Sequence, residues 1–399
     1  MIEVCNKVKY SLAYYYLYAV KEYKFAYVSS VDPRDKRSWS GTHHSILNAI
    51  DGKLGKVDIL GPYEPKLTGL FGKVKTGLSQ KLSGKRIDYR HSHMLSKSYA
   101  RYFEKKLNEK QYDFIIAPAA SCEIAHLNTK IPIIYISDTT FKRSLGYHKA
   151  LTNLTKKSEV EADEIEKMAL KKSHTIIVSS VWAADSVIQD YRIPKEKVHV
   201  IPFGPNMENL PGRSNLKSTL NVNQIELLFP AVYWENKGGD ITVNCLNALK
   251  QNNISARLTV VGCNPPIEHQ GNSSLEVYSY LNKNDSVQLK KLQELFLRAD
   301  FLILPTRFDC TPVVFCEASA FGLPSLCSDT GGVRGHIFEG ENGFLIDYHD
   351  KGEGYAKKIM EIISKPNNFI KLRKSSRELF EKKLNWNHWI EEFKKIINY

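Results

Sequence analysis

The amino-acid sequence predicts an α/β protein built from two doubly wound domains. Its 399 residues exceed what one ordinary hydrophobic core organises, which favours two domains of roughly 150–200 residues each. Short apolar runs rich in β-branched and aromatic residues alternate with longer amphipathic stretches. Runs that are apolar throughout are typical of strands buried on both faces of a parallel sheet, and their alternation with helices indicates a doubly wound fold.

Eleven strands and five main helices are predicted. The strands of the first half are 25–29, 57–60, 114–117, 133–136, 175–178 and 198–201. Those of the second half are 227–231, 257–261, 301–304, 324–327 and 343–346. The helices are 97–109, 156–171, 241–251, 286–299 and 314–321.

Proline and glycine concentrate in the segment IPFGPNMENLPGRSNLK at 201–217, where no periodicity survives. We therefore expect a first domain over 1–207 and a second over 208–382. The segment 383–399 has the pattern of an amphipathic helix, predicted to pack back on the first domain. Two α/β domains joined there create a cleft at the carboxyl ends of their strands, where ligands of such sheets bind.

The charge distribution is uneven. The formal net charge is +13, and the region 66–110 holds twelve Lys and Arg residues against three Asp and Glu. Such a surface favours anionic partners, and a solvated surface without a partner is the open alternative. Leu, Phe and Tyr interleave with the cations, and no nucleic-acid-binding signature accompanies them. An anionic membrane surface or a lipid-linked acceptor is therefore the favoured partner, rather than nucleic acid.

Cysteine and histidine spacings argue against a disulfide framework or a metal site. The seven cysteines are scattered and form no C-x-x-C pair, which indicates reduced thiols in a cytoplasmic protein. The apolar segment 1–25 is interrupted by lysines and lacks a small-residue cleavage site, so we expect an amphipathic helix there and not a signal peptide. These patterns predict a cytoplasmic location, with peripheral attachment to the inner face of the cytoplasmic membrane if the basic region binds lipid.

The most informative segment is 301–333, FLILPTRFDCTPVVFCEASAFGLPSLCSDTGGV. A strand exits into a loop that leads into a helix, with Asp309 before the helix and Glu317 in its first turn. Helix-end N–H groups suit a diphosphate, and a carboxylate can accept from both vicinal hydroxyls of a ribose. Gly331 and Gly332 let backbone approach a phosphate closely. Taken singly, these residues fit a helix cap, a helix-dipole partner and an ordinary turn equally well.

In their joint order these residues resemble the C-terminal signature of retaining glycosyltransferases of family 4, which have the GT-B architecture of two Rossmann-like domains facing a deep cleft. The matching positions are Asp309, Glu317-Ala318, Gly322-Leu323-Pro324 and Gly331-Gly332. The resemblance implies that Glu317 binds the donor ribose and that Asp309 contacts the donor sugar near the reacting centre. It also implies that backbone amides of the intervening loop bind the sugar. Those amides belong to Cys310, Thr311, Val313 and Val314, since Pro312 has no N–H.

A second segment, LLFPAVYWENKGGD at 227–240, resembles the strand, loop and Lys-Gly that open the C-terminal domain of this family. The resemblance places its lysine, Lys237, on the donor diphosphate. The family's arginine several residues earlier has no counterpart here. We expect Arg307 to supply that charge, because a diphosphate without a cation in a partly dry cleft is costly.

The N-terminal half supplies the remaining donor-side candidates by the same resemblance. Gly41 and Thr42 lie in the loop before a predicted helix and match the glycine that approaches the donor phosphates. Gly204, in the segment IPFGPN, would border the cleft.

On the acceptor side, Asp138 ends a strand where the family often places a polar residue, and a helix cap is its open alternative. His43 and His44 are the other acceptor-side candidates.

These residues predict a retaining transferase that moves a sugar from a nucleotide-diphosphate sugar to a saccharide or lipid-linked acceptor, as in the synthesis of cell-surface polysaccharides or glycoconjugates. Lys237 and the helix-end amides would stabilise the leaving diphosphate, Asp309 the sugar, and Asp138 the acceptor. No D-x-D motif lies at a strand end, so a reaction without metal or other cofactor is expected; retention follows from the resemblance alone. The alternatives are a GT-B epimerase or phosphorylase and a non-catalytic, basic membrane- or nucleic-acid-binding protein.

Overall fold

The structure is a computed structural model that describes residues 22–148 and 151–398. Two six-stranded sheets form its frame. The strands of the first sheet are β1 Tyr23–Tyr27, β2 Gly55–Ile59, β3 Phe114–Pro118, β4 Ile133–Ser137, β5 Thr175–Val178 and β6 Val198–Val200. Those of the second sheet are β7 Ile225–Pro230, β8 Ala256–Val261, β9 Leu275–Tyr278, β10 Phe301–Leu304, β11 Ser325–Ser328 and β12 Gly343–Ile346.

Both sheets are parallel throughout. Their strand orders are β2-β1-β3-β4-β5-β6 and β12-β11-β10-β7-β8-β9, so each sheet grows outward in both directions from its first strands. Such a topology needs a crossover between successive strands, and helices supply most of these crossovers. The predicted pair of doubly wound α/β units is confirmed.

Helices flank the two sheets. In the first half they are α1 Thr42–Ile50, α2 Lys66–Ser83, α3 His93–Leu107, α4 Ser121–Ile124, α5 Phe141–Ser144, α6 Lys156–Lys172 and α7 Val181–Asp185. In the second half they are α8 Gly239–Gln251, α9 Ser286–Arg298, α10 Val314–Ala320, α11 Glu353–Ile363, α12 Pro366–Lys382 and α13 Trp386–Ile397. The helix predicted within 1–25 lies almost entirely outside the described residues.

Alternating side chains of the first sheet enter two separate cores, as the pleat of a strand requires. Ile115 and Tyr135 point to the face covered by α3 and α6. Phe25, Ile134 and Ile177 point to the opposite face. That face is covered by α1 and by α13.

Helix α13 follows the second sheet in sequence but packs on the first. Trp389 and Phe393 are fully buried in the core that contains β1. The indole Nε1 of Trp386 donates to the carbonyl of Pro205, 2.9 Å away. The chain therefore crosses between the two sheets twice, once near residue 205 and once between α12 and α13.

The described helices include none with the length and apolar character that a membrane-spanning segment requires.

Candidate active site

The two halves meet where the loops after β4 and β10 face each other. The hydroxyl of Tyr147 lies 3.0 Å from that of Thr330 and accepts a hydrogen bond from the backbone N–H of Asp309 at 3.1 Å. Ser179 and Thr311 also share a hydrogen bond between their hydroxyls. Because Tyr147 and Ser179 follow strands of the first sheet and their partners follow strands of the second, these bonds hold the predicted interdomain cleft together along one side.

Lys237 and Asp309 form a close ion pair in this cleft. The ammonium Nζ lies 2.5 Å from Asp309 Oδ2 and 3.4 Å from the carbonyl of Phe308. Gly238, next to the lysine, has a φ of +75°, and a Cβ there would lie 2.1 Å from the carbonyl oxygen of Pro305. The Gly-Gly sequence thus lets the start of α8 pack on the loop that follows β10, which brings Lys237 to Asp309.

Arg307 is engaged elsewhere. Its guanidinium lies 2.7 Å from Asp240 Oδ2 and also donates to the carbonyl of Glu235. Asp240 lies in the first turn of α8, where the helix dipole favours a carboxylate. From this position it binds the Arg307 guanidinium. The structure therefore directs Arg307 toward α8, and its expected contact with a diphosphate would require this pair to open.

Glu317 is paired with a residue that the sequence did not single out. Lys283 Nζ lies 2.5 Å from Glu317 Oε1 and 3.5 Å from the carbonyl of Asn206. The glutamate is only 3% exposed, so an ionised carboxylate there needs a cation or several hydrogen-bond donors. Lys283 supplies that cation from the loop between β9 and α9.

The loop between the two acids sits at the junction of the domains. The side chain of Val313 packs against the core of the first sheet, and that of Val314 against the core of the second. The N–H groups of Val313 and Glu317 donate to backbone carbonyls of Thr311 and Val313 at 2.9 and 3.0 Å. Those two N–H groups are consequently hydrogen-bonded within the protein backbone. Cys310, in the same segment, is buried.

Gly331 and Gly332 support this same loop. A Cβ on Gly331 would lie 2.2 Å from the carbonyl oxygen of Asp309, and one on Gly332 would lie 1.8 Å from that of Cys310. The N–H of Gly332 donates to the Asp309 carbonyl at 3.0 Å. Close backbone packing on the acidic loop thus accounts for both glycines; their predicted approach to a phosphate stays a prediction.

Asp138 faces Asp309 from the first domain. Burial raises the pKa of its carboxyl from 3.8 to about 6; the hydrogen bond from Trp39 Nε1, 3.2 Å away, opposes this rise, and the charge of Asp309 adds to it. Trp39 itself has a φ of +48°, a conformation that costs free energy for a bulky residue and is concentrated at functional sites. The structure thus brings Asp138 close to the Lys237–Asp309 pair.

Gly41 and Thr42 contact the interdomain segment. Gly41 has a φ of +93° and begins α1. The amide nitrogen of Asn206 lies 2.9 Å from the Thr42 hydroxyl and 3.1 Å from the carbonyl of Ser40. Asn206 therefore ties the loop before α1 to the segment that also receives Lys283.

The three remaining candidates make other contacts. Gly204 faces α13, and a Cβ there would lie 2.6 Å from Trp386. His43 is buried in the first core, where its Nδ1 lies 2.9 Å from the hydroxyl of Tyr27, and burial lowers its pKa to about 4. His44 lies 3.3 Å from Glu208. These positions give Gly204 and His43 clear packing roles.

The residues missed by sequence reasoning are Lys283, Tyr147, Trp39 and Asn206. Each lies outside the helices and strands named above, and each makes its contact with a residue at least 34 positions away in the sequence. The only local signal was their position after a predicted strand or before a predicted helix.

Within the described ranges, no three His, Cys, Asp or Glu side chains group in a way that could hold a metal ion. The six cysteines that the structure describes are free thiols. Cys5 lies outside the described residues.

Two family models match the chain. The model of the group 1 glycosyl transferases matches residues 224–365, and that of glycosyltransferase family 4 matches residues 75–209. The matches cover both halves of the cleft and together more than half of the chain. The chain belongs to the group 1 glycosyl transferases. The family predicted from the acidic segment is thereby confirmed.

Curated relatives of this glycosyl transferase chain are distant. D-inositol 3-phosphate glycosyltransferase of Xylanimonas cellulosilytica is 23% identical over 202 residues, which are 46% of this chain and 48% of the relative. An uncharacterized 41.2 kDa protein in the cps region of Klebsiella pneumoniae is 23% identical over 211 residues, 50% of this chain and 53% of the relative. The chain thus spans about half the length of the curated relatives it matches.

Solved structures resemble this glycosyl transferase chain over nearly its whole length. Sucrose-phosphate synthase from Thermosynechococcus elongatus superposes with a TM-score of 0.67 at 15% identity, covering 95% of this chain and 98% of the other. Anabaena Alr3699/HepE in complex with UDP and glucose superposes with a TM-score of 0.62 at 13% identity, covering 94% and 100%. At such identities the likeness shows the fold, and the predicted GT-B architecture is confirmed.

Proposed function

We propose that this chain transfers a sugar from a nucleotide-diphosphate sugar to an acceptor hydroxyl, with retention of configuration and without a metal ion. The observation that carries the proposal is the convergence of Lys237, Asp309 and Asp138 from the loops after β7, β10 and β4. Family membership and the carboxyl-edge position of these loops support the assignment.

In this proposal each group has one task. The bond between the sugar C1 and the diphosphate oxygen breaks, and its electron pair leaves with the diphosphate, whose charge Lys237 stabilises. Asp309 orients the Lys237 ammonium and accepts a hydrogen bond from the sugar. Asp138 takes the proton of the acceptor hydroxyl as the oxygen of that hydroxyl bonds to C1.

The Glu317–Lys283 pair is proposed as the ribose site of the donor. Lys283 occupies Oε1 at 2.5 Å, which leaves Oε2 to accept from a ribose hydroxyl while the ammonium donates to a neighbouring oxygen.

Thermal stabilisation by a panel of nucleotide sugars tests the donor site. We expect at least one nucleotide sugar to raise the Tm of the full chain, because a ligand bound only to the folded state stabilises it. Glu317→Gln should remove most of that shift, and Lys283→Met should reduce it.

Glu378→Ala, an exposed glutamate on α12, is the matched control and should keep the full shift. Each shift is measured against the ligand-free Tm of the same variant, since loss of either partner of the Glu317–Lys283 pair changes stability by itself. If no nucleotide sugar stabilises the wild type, the proposed function is wrong.

The acceptor is proposed to be a saccharide, soluble or lipid-linked, presented at an anionic membrane surface through the basic region 66–110. The net excess of Lys and Arg in that region supports an anionic partner. Cell-surface polysaccharide or glycoconjugate synthesis, on the cytoplasmic face of the membrane, is the setting in which such an acceptor occurs.

A further inference from the structure

Helix α2 packs with its small side chains inward and its large apolar side chains outward. Gly69 and Gly72 are buried, while Thr68, Thr76 and Ser79 are half-buried. An ordinary surface helix has the opposite arrangement, with an apolar face against the core. The inner face of α2 therefore gives this helix little apolar burial within the protein.

Specific contacts explain why small residues are needed inside. A Cβ on Gly72 would lie 2.5 Å from the ring of Tyr89, so only glycine allows the helix to rest on that ring. Thr76 donates its hydroxyl to the carbonyl of Ile87 at 2.9 Å, and Ser79 donates to that of Lys85 at 2.9 Å. These bonds fix the rotation of α2 about its axis.

The outward face carries an apolar strip, which Lys81 interrupts near the carboxyl end of the helix. Each apolar residue of this strip has a large side chain and is more than half exposed to solvent. The exposed fractions are 63% for Leu70, 65% for Phe71, 55% for Val74, 55% for Leu78 and 86% for Leu82. At 3.6 residues per turn these residues fall within about a third of the helix circumference. Single exposed apolar residues are ordinary, but a strip of five on one helix indicates a binding surface.

The charge of α2 identifies the partner. The helix contains four lysines and no acidic residue. Lys66 and Lys73 lie on one side of the apolar strip and Lys75 on the other, while Lys81 falls within it in the last turn. In a twofold pair of copies the same patch would meet itself and set lysines against lysines, which disfavours a second copy of this chain. An anionic bilayer matches both features: its headgroups match the lysines, and its acyl chains match the apolar strip.

The position of α2 relates this strip to the candidate active site. The helix follows the carboxyl end of β2, and β2 is parallel to β4, whose carboxyl end leads to Asp138. The loop before α2 and the loop that carries Asp138 therefore lie at the same edge of the sheet. A helix anchored in a bilayer at this edge would bring the acceptor side of the cleft to the membrane.

We propose that α2 is an interfacial helix that inserts Leu70, Phe71, Val74, Leu78 and Leu82 into the apolar boundary of an anionic bilayer. The inference deepens the membrane-facing acceptor proposed above and rests on it. Charge alone would hold the basic region at the headgroups, whereas the strip places α2 below them and fixes which face of the protein meets the lipid.

Insertion is tested in the full chain with Phe71→Trp and the matched control Ile267→Trp, an exposed apolar position on the second domain at 81% exposure. Vesicles of phosphatidylcholine with 30% phosphatidylglycerol carry bromine on their acyl chains, which quenches an inserted indole. Relative to the wild-type background, Phe71→Trp should be quenched by anionic vesicles and Ile267→Trp should not. Equal quenching of both variants, or of neither, overturns the proposal.

A second measurement separates insertion from charge. Leu78→Ser with Leu82→Ser should lower vesicle co-sedimentation at least tenfold at 0.5 M salt, where charge is screened. The control Ile267→Ser with Val287→Ser should sediment like the wild type. If the α2 variant instead converts a dimer into a monomer on a sizing column and wild type does not sediment with vesicles, a second copy covers the strip and the proposal is wrong.

Failure of this inference is distinguishable from failure of the proposed function. The α2 variants should keep the full nucleotide-sugar shift in Tm, because the α2 contacts described above are to Tyr89, Ile87 and Lys85, which are not donor-site residues. A chain that shows quenching but no shift would overturn the transferase and leave the interfacial helix standing. A chain that shows the Tm shift but no quenching would overturn the interfacial helix and leave the transferase standing.

Discussion

A carboxyl group with a pKa of about 6 changes its charge within the range in which most enzymes work, and Asp138 is such a group. Its ordinary pKa is 3.8, so burial opposes its ionisation once the protein folds. The same burial that positions the carboxylate at the cleft therefore makes its charged form costly. A residue of this kind is expected where function has been favoured over stability.

Asp138→Asn should stabilise the protein at pH 7.5 by about 3 kcal/mol, because the pKa of Asp138 rises from 3.8 to about 6 and each pKa unit corresponds to about 1.4 kcal/mol. A carboxyl whose pKa is raised on folding contributes most stability below its unfolded pKa and loses it as the pH rises through the folded value. The advantage of the variant should therefore grow between pH 4 and pH 6 and vanish below pH 4. Urea unfolding across this range measures it, and a variant that is less stable at every pH would contradict the account.

The pH dependence of sugar transfer gives an independent measurement of the ionisation of Asp138. Transfer should increase through an acid limb near pH 6, as the carboxylate forms. Trp39→Phe removes a hydrogen bond that lowers the pKa of Asp138, so this limb should move to higher pH while the rate at its plateau changes little.

At the scale of the element, the degree of burial determined which strands and helices the sequence could predict. Strands β5 and β10 match their predicted bounds because every residue in them is buried, which produces an unbroken apolar run. Strand β9 was missed because its residues are partly exposed and its sequence, LEVY, carries no such run. Helix α2 was missed as a helix because its inner face consists of glycine and small polar residues.

The candidate site was predictable in part for a related reason. Asp309 and Glu317 lie within one strand–loop–helix unit, so their spacing is a local property of the sequence. Their cationic partners are not equivalent: Lys237 belongs to a recognisable motif, whereas Lys283 reaches Glu317 from a loop that has no distinctive pattern. Pairings of that kind depend on how separate elements pack, and a single sequence does not encode them in any local pattern.

Gly204→Ala tests whether the segment after β6 serves packing or the donor. A methyl group there would lie 2.6 Å from Trp386, so we expect a loss of about 1–3 kcal/mol in unfolding free energy from overpacking against α13. Nucleotide affinity, measured by calorimetry, should not change. Gly212→Ala is the control, since its nearest atom would be 4.0 Å away and its cost should be small. Weaker nucleotide binding at unchanged stability would instead place Gly204 in the donor site.

At the scale of the whole molecule, one tyrosine contributes to two of the bonds across the cleft. Tyr147 packs against Phe308 with ring centroids 4.2 Å apart and the rings tilted by 56°, and its hydroxyl accepts a hydrogen bond from the Asp309 N–H. Movement of the domains therefore changes the surroundings of the Lys237–Asp309 pair directly. We therefore expect closure of the cleft and assembly of the site to be coupled.

Tyr147→Phe should let the domains separate more readily while it keeps the aromatic contact. Loss of two hydrogen bonds corresponds to about 1–2 kcal/mol of domain docking. The radius of gyration from small-angle X-ray scattering should increase, and nucleotide sugar should reverse the increase. Tyr278→Phe, whose hydroxyl bonds to Glu276 within the second domain at 2.6 Å, is the matched control and should leave the radius unchanged.

The return of α13 to the first sheet has a consequence for how the protein is made. On the ribosome, the strands of the first sheet emerge well before the helix that covers one of their faces. At about 5–20 residues per second, the interval between residues 201 and 397 lasts about 10–40 s. Throughout it, the apolar face that Trp389 and Phe393 will cover stays open to other nascent chains. We therefore expect this protein to depend on holding chaperones during translation, and messages truncated before α13 to yield insoluble product.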